Sequence, residues 1–600
     1  MTKSKAQSGG GPVEKSSTKD SRSHQHPLDV GREFVESIAF AFVLALLFRA
    51  FVAEAFVIPT GSMAPTLYGR NKDVVCPGCG YGYAIGASEE VDDVTGNLLS
   101  PLRIEKSMCP NCRHLHDVKD TPVFKGDRIL VNKSSYQFGA PDRWDVIVFR
   151  YPEDTQKNYI KRLVGLPGET IRVERGDVYA RKGESGEFKI LRKQDPNKQK
   201  LLQHVVYDDR HPPHELLKSG WPESWQPVAS ATNTCNHDAK LRQFELVAGD
   251  APVTIQYSHY VPHLTDWNDA DIGKTLPSDP QPELVSDFCG YNACQGYRNG
   301  IDEDQFWVGD LTLSCSARIA NVTGTNSQIT MELREGVRRY RCRIDVTTGL
   351  AILTRNDDLA ADSETAPEIE LAKAQTSVKG AGTYSLRFAN VDDRLCLWVN
   401  EHLLSTGLVS AVEYDAPANH RPQESDLTPV AITAQGVTAT ISKLLIERDI
   451  YYRADQLPED ASRSDDTFYE SHENHRLREL LGDPQKWGET YEKITHRGGA
   501  EFHELGADEF FVMGDNSPRS ADSRLWPNHR RHAKNRHAVN RTALIGKAFF
   551  IYWPHGIPFL NGGKGFMLWS HSGQNAQEAA AYPEYSIPFY PQWWRWKRIR

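Results

Sequence analysis

Short apolar runs that alternate with polar residues recur along almost the whole chain, and this pattern constrains the fold most. DVVCPGCG, DRILVNK, DVIVFRYP, YIKRLVGLPG and TIRVERGDVYA lie in the first third. DLTLSCSARI, QITMELRE, YRCRIDV, TYSLRFANV, RLCLWVN and TATISKLLIE fill residues 301–452, and EFFVMGD and ALIGKAFFIYWP follow. Period-two alternation, β-branched residues and Gly/Pro punctuation belong to half-buried strands. The chain is therefore expected to be mainly β, and the even spacing over 301–452 predicts a β-sandwich. A helix is expected around HRLRELLG, inside the polar stretch 453–500. At ~100–200 residues per domain, 600 residues imply several domains or insertions. Hydrophobic residues at 39% allow real cores and exclude wholesale disorder. The charge balance, 70 − 79 = −9, argues against a general nucleic-acid binder.

One segment breaks the pattern. From Phe34 to Phe56 the chain reads FVESIAFAFVLALLFRAFVAEAF. Its uncharged part, Ser37–Phe48, is twelve residues long, short against the ~20 that a spanning helix needs. Extended to Ala53 it reaches seventeen, with Arg49 placed to snorkel. Residues 34–56 are expected to form a retained transmembrane anchor. The competing readings are a buried helix, or a cleaved signal peptide with Ala53-Glu54-Ala55 as its A-x-A site. Residues 1–30 read as a disordered tail. Six basic residues against four acids precede the segment, which puts the tail in the cytoplasm and the rest outside.

Three segments carry reactive side chains. IPTGSMAPTL at 58–67 places Ser62 in a turn bounded by Pro59 and Pro65; alone it is one more loop serine. YIKRLVGLPGE at 159–169 places Lys161 among apolar neighbours on a strand, where it can point inward. Burial disfavours an ammonium, and a neutral lysine can act as general base for a serine hydroxyl. Arg162 faces the other side of that strand by period two and reads as structural. FFVMGDNSPRSADSR at 510–524 is a turn dense in Ser, Asp and Arg after an apolar strand.

Together with GDRILVNK at 126–133, these segments resemble, in order, the sequence boxes of the type I signal peptidase (leader peptidase) family. The resemblance covers residues 30–68, 121–180 and 508–556, a quarter of the chain. It implies a β catalytic core with one N-terminal transmembrane helix and no catalytic cofactor. Ser62 would be the nucleophile. Lys161 would be the general base and later protonate the leaving amine. The Ser62 N–H and the Thr60 hydroxyl would form the oxyanion hole, Thr60 standing where many relatives carry Ser. One such donor contributes ~3–4 kcal/mol to the transition state. Ser520 would orient the lysine, Asp522 and Arg524 would form a supporting ion pair, and Gly514, Asp515 and Asn516 would shape the turn. Glu169 in place of the commoner Asp, and Ser517-Pro518-Arg519 in place of the usual polar run, remove no catalytic group. The implied substrates are pre-proteins whose signal peptides carry small residues at −1 and −3. Ser62 lies nine residues beyond Ala53, a reach of at most ~30 Å, so the nucleophile stays near the bilayer.

Two insertions separate the boxes. Between Leu67 and Gly126 lie 58 residues holding CPGCG and CPNC. Two C-x-x-C knuckles 29 residues apart read as a four-cysteine zinc ribbon of Cys76, Cys79, Cys109 and Cys112. Two disulfides, or iron, are the alternatives, and His114 and His116 read as bystanders. Between Glu169 and Phe510 lie 340 residues, of which 215–452 resemble concanavalin-like or laminin-G-like jelly rolls, through FWVGDLTLSCSARI, FANVDDRLCLWVN and ISKLLIERDIYYR. Such sandwiches often bind glycans, and many are only structural or adhesive. Asp392, Asp393 and Trp398 fit a ligand site, and fit a hairpin turn and a core tryptophan equally. Cys289 and Cys294 are close enough in sequence to pair. The tail YPEYSIPFYPQWWRWKRIR suits a membrane interface or a docked or disordered end.

These readings combine into a tail (1–30), an anchor (34–56), a core in two parts (57–180, with the ribbon at 71–118, and 506–560), an insertion (181–505) and a C-terminal tail (561–600). The expected activity is a membrane-anchored serine endopeptidase, exocytoplasmic at the inner or plasma membrane, that removes signal peptides with a Ser62/Lys161 dyad. Its expected partners are signal peptides, the lipid bilayer and a glycan or protein ligand of the sandwich, with no nucleic acid. One rival is a self-cleaving repressor-type protease; another is an anchored binding or adhesion protein with a vestigial core.

Overall fold

The computed structural model describes residues 27–599, apart from 91–102, 194, 229–233, 277–278, 296–303, 325, 358–366, 405–410, 418, 454–476, 495–499, 527–534, 536, 555, 561–565, 568–585 and 588. The described chain is mainly β, as its alternation predicts. Residues 1–26 of the expected tail lie outside the described residues.

The described residues of the first unit, which runs to Glu54, form the helix Pro27–Phe51 and the start of a strand. The helix begins upstream of the expected anchor and stops before its end, because Ala53–Val57 is a strand with alternating burial. Phe34, Phe40 and Phe42 are exposed on the helix, and Arg32 pairs with Glu36 one turn on at 2.8 Å. Arg32, Glu33, Glu36 and Arg49 bracket its apolar stretch. Among the described residues no helix is long and apolar enough to cross a membrane.

In the second unit the reactive segments share one sheet. Its order is Ala53–Val57, Arg128–Asn132, Leu544–Trp553, Val146–Tyr151, Asp154–Gly165, Glu509–Met513, Val539–Asn540. Period-two side chains fill both faces. Ile129, Val131, Val146 and Val148 pack with Met63 and Leu67, while Ile147, Phe149, Leu163 and Val512 pack with Trp526. Buried on both sides, these strands read as apolar runs rather than clean alternation. Register sets Lys161 opposite Ile147 and Arg162 opposite Met513. A second sheet runs Lys189–Ile190, Asp177–Lys182, Glu169–Glu174, Ala500–Phe502.

The long insertion builds two antiparallel sheets. One is centred on Leu311–Val322 and Val437–Arg448, the other on Gln328–Glu335 and Arg338–Asp345. Inward residues such as Leu313, Ile329, Met331, Tyr340, Phe388 and Ile432 form one buried core between them. Asp392 and Asp393 both have φ of 53° in the tight turn closed by Val391 N–H to the Arg394 carbonyl. Asp392 is held by Lys193 Nζ at 2.9 and 3.0 Å, and Trp398 is buried among Ala389, Val391 and Ala411. Turn and core therefore account for these three residues.

The helix expected around HRLRELLG lies partly outside the described residues, with Leu477 and Arg478 helical at its end, and a further helix follows at Pro484–Ile494. Asp483 accepts from Lys486 N–H at 3.0 Å, and a proline at the first helical position costs no hydrogen bond. That cap and proline set the start, whatever the apolar spacing before them. The C-terminal tail docks. Lys597–Arg598 pairs with Leu544–Trp553, and Ile599 is buried. Trp593 and Trp596 stay largely exposed.

Candidate active site and four-cysteine centre

The 58–67 segment is a compact turn stitched to its surroundings by backbone bonds. Ile58 N–H donates to the Asp127 carbonyl at 2.9 Å, Ala64 N–H to Gly61 at 3.0 Å and Leu67 N–H to Met63 at 2.8 Å. Met63 and Leu67 are fully buried, so the apolar residues flanking Ser62 anchor the turn in the core. Ser62 and Lys161 are themselves only 8% and 4% exposed. Lys161 Nζ lies 2.8 Å from Ser62 Oγ and 3.1 Å from the Ile160 carbonyl. Residues 99 positions apart thus meet at hydrogen-bond distance, the arrangement a base needs to take a hydroxyl proton. Thr60 is exposed in the same turn.

The 510–524 segment packs against that turn. Asn516 N–H donates to the Ser62 carbonyl at 3.1 Å, and Asn516 Nδ2 donates to the Gly61 carbonyl at 3.0 Å. Gly514 is required sterically, since a Cβ there would lie 2.2 Å from Ser520 Oγ and 2.4 Å from the Ser62 carbonyl oxygen. Ser520 is fully buried beside it. Asp522 accepts from the Gly514 N–H at 2.9 Å and takes Arg524 through both oxygens, at 2.9 and 2.7 Å. Burial pushes the Asp522 carboxyl up, but the Arg524 guanidinium outweighs it and holds the group below its ordinary value. Arg524 also donates to the Arg453 carbonyl at 2.7 Å and Ser517 Oγ at 2.9 Å.

Asp515 pairs with Arg162 through two bonds of 2.7 and 2.6 Å, both side chains almost wholly buried. Arg162 also donates to the Trp144 carbonyl at 2.8 Å. The pair clamps the turn to the lysine strand, which supports the structural reading of both residues. Asp515→Ala would strand a buried guanidinium, an expected loss of about 3–5 kcal/mol. Denaturant unfolding measures it, and a loss below ~1 kcal/mol would mean that the pair does not clamp the turn.

Asn292 had no sequence signal beyond its place between Cys289 and Cys294. It comes from the long insertion and contacts Asn516 directly, at 2.7 and 2.8 Å. Cys289 and Cys294 are not joined by a disulfide.

The four cysteines of the first insertion converge. Their sulfurs lie within 4.8 Å of one another, all buried. Cys76 and Cys112 sulfurs are 3.6 Å apart, and Cys79 and Cys109 sulfurs 3.7 Å apart. All four are free thiols, so the disulfide alternative does not describe this structure. A tetrahedral metal with ~2.3 Å bonds to sulfur has edges of ~3.8 Å, so the donor set fits such an ion. Trp267 Nε1 donates to the Cys112 carbonyl at 2.9 Å, tying the ribbon to the second insertion.

A family model described as "Signal peptidase, peptidase S26" matches residues 106–220 and 448–553. It takes in Lys161 and Ser520; the Ser62 turn precedes it. "Signal peptidase I" of Rickettsia rickettsii (strain Sheila Smith) is 32% identical over 143 residues, 24% of this chain and 40% of that protein. The protein of the same name from Rickettsia akari (strain Hartford) is 29% identical over 196 residues, 29% of this chain and 60% of that one. That from Pseudomonas fluorescens is 31% identical over 171 residues, 26% and 40%. The chain thus spans 40 to 60% of the length of these three relatives. Among solved structures, a carbohydrate binding module CBM66 from Bacillus subtilis aligns over 37% of this chain and 95% of its own, at 11% identity and a TM-score of 0.22. Galectin LEC-6 of Caenorhabditis elegans covers 23% and 84%, at 11% identity and 0.16. The two matched segments and the signal peptidase relatives agree, and over those parts this chain is similar to the type I signal peptidase family.

Proposed function

We propose that this chain is a membrane-anchored serine endopeptidase that removes signal peptides from exported pre-proteins, with Ser62 and Lys161 as its dyad. The observation that carries the reading is the 2.8 Å approach of Lys161 Nζ to Ser62 Oγ in a buried setting. Lys161 Nζ takes the hydroxyl proton as Ser62 Oγ attacks the scissile carbonyl carbon. The Ser62 N–H and the Thr60 hydroxyl receive the developing oxyanion. Collapse of the tetrahedral species breaks the C–N bond, and the lysine ammonium gives its proton to the leaving amine. Water, deprotonated by the same amine, then hydrolyses the acyl-enzyme and frees Ser62. Ser520 would orient the lysine, and Asp522–Arg524 and Asp515–Arg162 hold the turn that carries Asn516.

The exposed apolar residues of Pro27–Phe51 support seating at a bilayer, with the bulk of the chain exocytoplasmic. The preferred substrates carry small side chains at −1 and −3. Cys76, Cys79, Cys109 and Cys112 would hold a structural zinc ion, which fixes the ribbon and takes no part in cleavage. The sandwich would supply a glycan or protein contact.

The test is cleavage of a fluorogenic peptide with an A-x-A site by the full chain in detergent micelles. The expected product is cut after the second alanine, and replacing that alanine by leucine should lower kcat/KM by ~100-fold or more, the scale of a small pocket rejecting a large side chain. Intact peptides across a panel of such sequences would overturn the assignment.

A further inference from the structure

The segment CGYNAC, 289–294, lies outside both stretches matched by the family model, yet it packs on the Ser62 turn. Asn292 Nδ2 donates to Asn516 Oδ1 at 2.7 Å, and Asn516 Nδ2 donates to Asn292 Oδ1 at 2.8 Å. This reciprocal pair holds the Asn516 amide in place and in plane. The Gly61 carbonyl, which can only accept, decides which way round the amide sits: Nδ2 uses its second hydrogen to donate there at 3.0 Å. In a trans peptide the C=O and the following N–H point in opposite directions. Holding the Gly61 oxygen toward Asn516 therefore aims the Ser62 N–H the other way. On the reading above, that N–H is an oxyanion donor.

The same segment packs the turn a second way. The Tyr291 ring fills the space a Cβ on Gly61 would need, with Cε1 only 2.4 Å from that position, and it stacks on Tyr68 at 5.4 Å. The ribbon holds the segment in place. Met108 N–H donates to the Ala293 carbonyl at 2.9 Å, and Ser107 Oγ to the same oxygen at 3.3 Å. Cys294 pairs with Ser107, and a Cβ on Gly290 would lie 2.7 Å from the Pro110 side chain.

We propose that Asn292 is a positioning residue of the peptidase reaction: through Asn516 it sets the orientation of the Gly61–Ser62 peptide and so aims the Ser62 N–H at the oxyanion. The proposal rests on the peptidase reading, and its action is confined to the transition state, because ground-state peptide binding needs no oxyanion donor. Losing a whole donor costs about 10²–10³ in kcat. A misaimed one should cost somewhat less, about 10–100-fold.

The experiment compares the full chain with Asn292→Ala, Asn516→Ala and the double variant in micelles, on the A-x-A peptide. The expected result is a ~10–100-fold fall in kcat for Asn292→Ala with KM nearly unchanged. The double variant should be no slower than Asn516→Ala alone, because the two residues act in series. Losses that multiply, or a fall carried by KM, would overturn the proposal. A second readout needs no substrate. Deuterium exchange at residues 514–519, which include the Asn516 N–H bound to Ser62, should speed up in Asn292→Ala, while the sandwich core 311–322 stays protected. Unchanged exchange with unchanged kcat would also overturn it. If the wild type cleaves no peptide, the peptidase reading fails, and the exchange result alone decides whether Asn292 orders the turn.

Discussion

Lys161→Met and Ser62→Ala each bring peptide cleavage to background, a fall of about 10⁴-fold or more, and the double variant falls no further. The reason is that one proton is shared by one pair. Lys161 Nζ sits 2.8 Å from Ser62 Oγ, and removing either end leaves no nucleophile that can be activated. Non-additivity is what separates a dyad from two independent structural losses, whose effects would multiply. Lys161→Arg sharpens the test. A guanidinium keeps the charge and much of the length but stays protonated at any working pH, so it cannot accept the hydroxyl proton. It is expected to be as inactive as Lys161→Met. A lysine needed only for charge or packing would tolerate the exchange, so an active Lys161→Arg variant would remove Lys161 from the base role. Circular dichroism and the unfolding midpoint of each variant must match the wild type for the comparison to count.

The parts of this site differ in how far the sequence exposed them. Ser62 and Lys161 were legible only through the family resemblance of the boxes that hold them, since alone one is a serine in a proline-bounded turn and the other a lysine on an apolar strand. The four cysteines were legible from the spacing of their two C-x-x-C knuckles. Pairing across long separations was not. Arg162 and Asp515 lie 353 positions apart, and Asn292 and Asn516 lie 224 apart. Period two states which face a side chain takes, never which strand it meets. Asn292 sits in a stretch without alternation, so nothing local marked it. The strand at Ala53–Val57 was hidden by the apolar run that precedes it: AEAFV continues the hydrophobicity while changing the period. Its neighbour Arg128–Asn132 in the sheet favours the extended state, a tertiary influence that local propensity does not report.

Removing the metal from the ribbon is expected to have the other large effect. Cys109→Ser, or prolonged chelation of the full chain, should release one zinc ion per molecule by elemental analysis. A structural zinc in a small site binds with about 10–16 kcal/mol, comparable to the whole stability of a domain. The hairpins Asn71–Val75/Gly82–Gly86 and Lys106–Met108/Leu115–Asp117 are short, and the apolar cluster at their base is a small one, of Val74, Ile85, Ala87, Ile104, Val118 and Val123. The thiols pack instead with Leu216, Trp221 and Trp267, and Asn111 ties the second knuckle to the His211 carbonyl at 2.8 Å. Loss of the ion should therefore raise deuterium exchange across 71–90, 104–118, 208–221 and 264–276 together. The sandwich core, with its own apolar interior, should keep its protection. Because the ribbon also holds Ala293 and Gly290, kcat should fall in step with zinc content and recover on adding zinc back. Iron in place of zinc would show as colour and a different element. A chain that holds no metal, yet is fully protected and fully active, would refute a structural metal at these cysteines and leave the ribbon held by its packing alone.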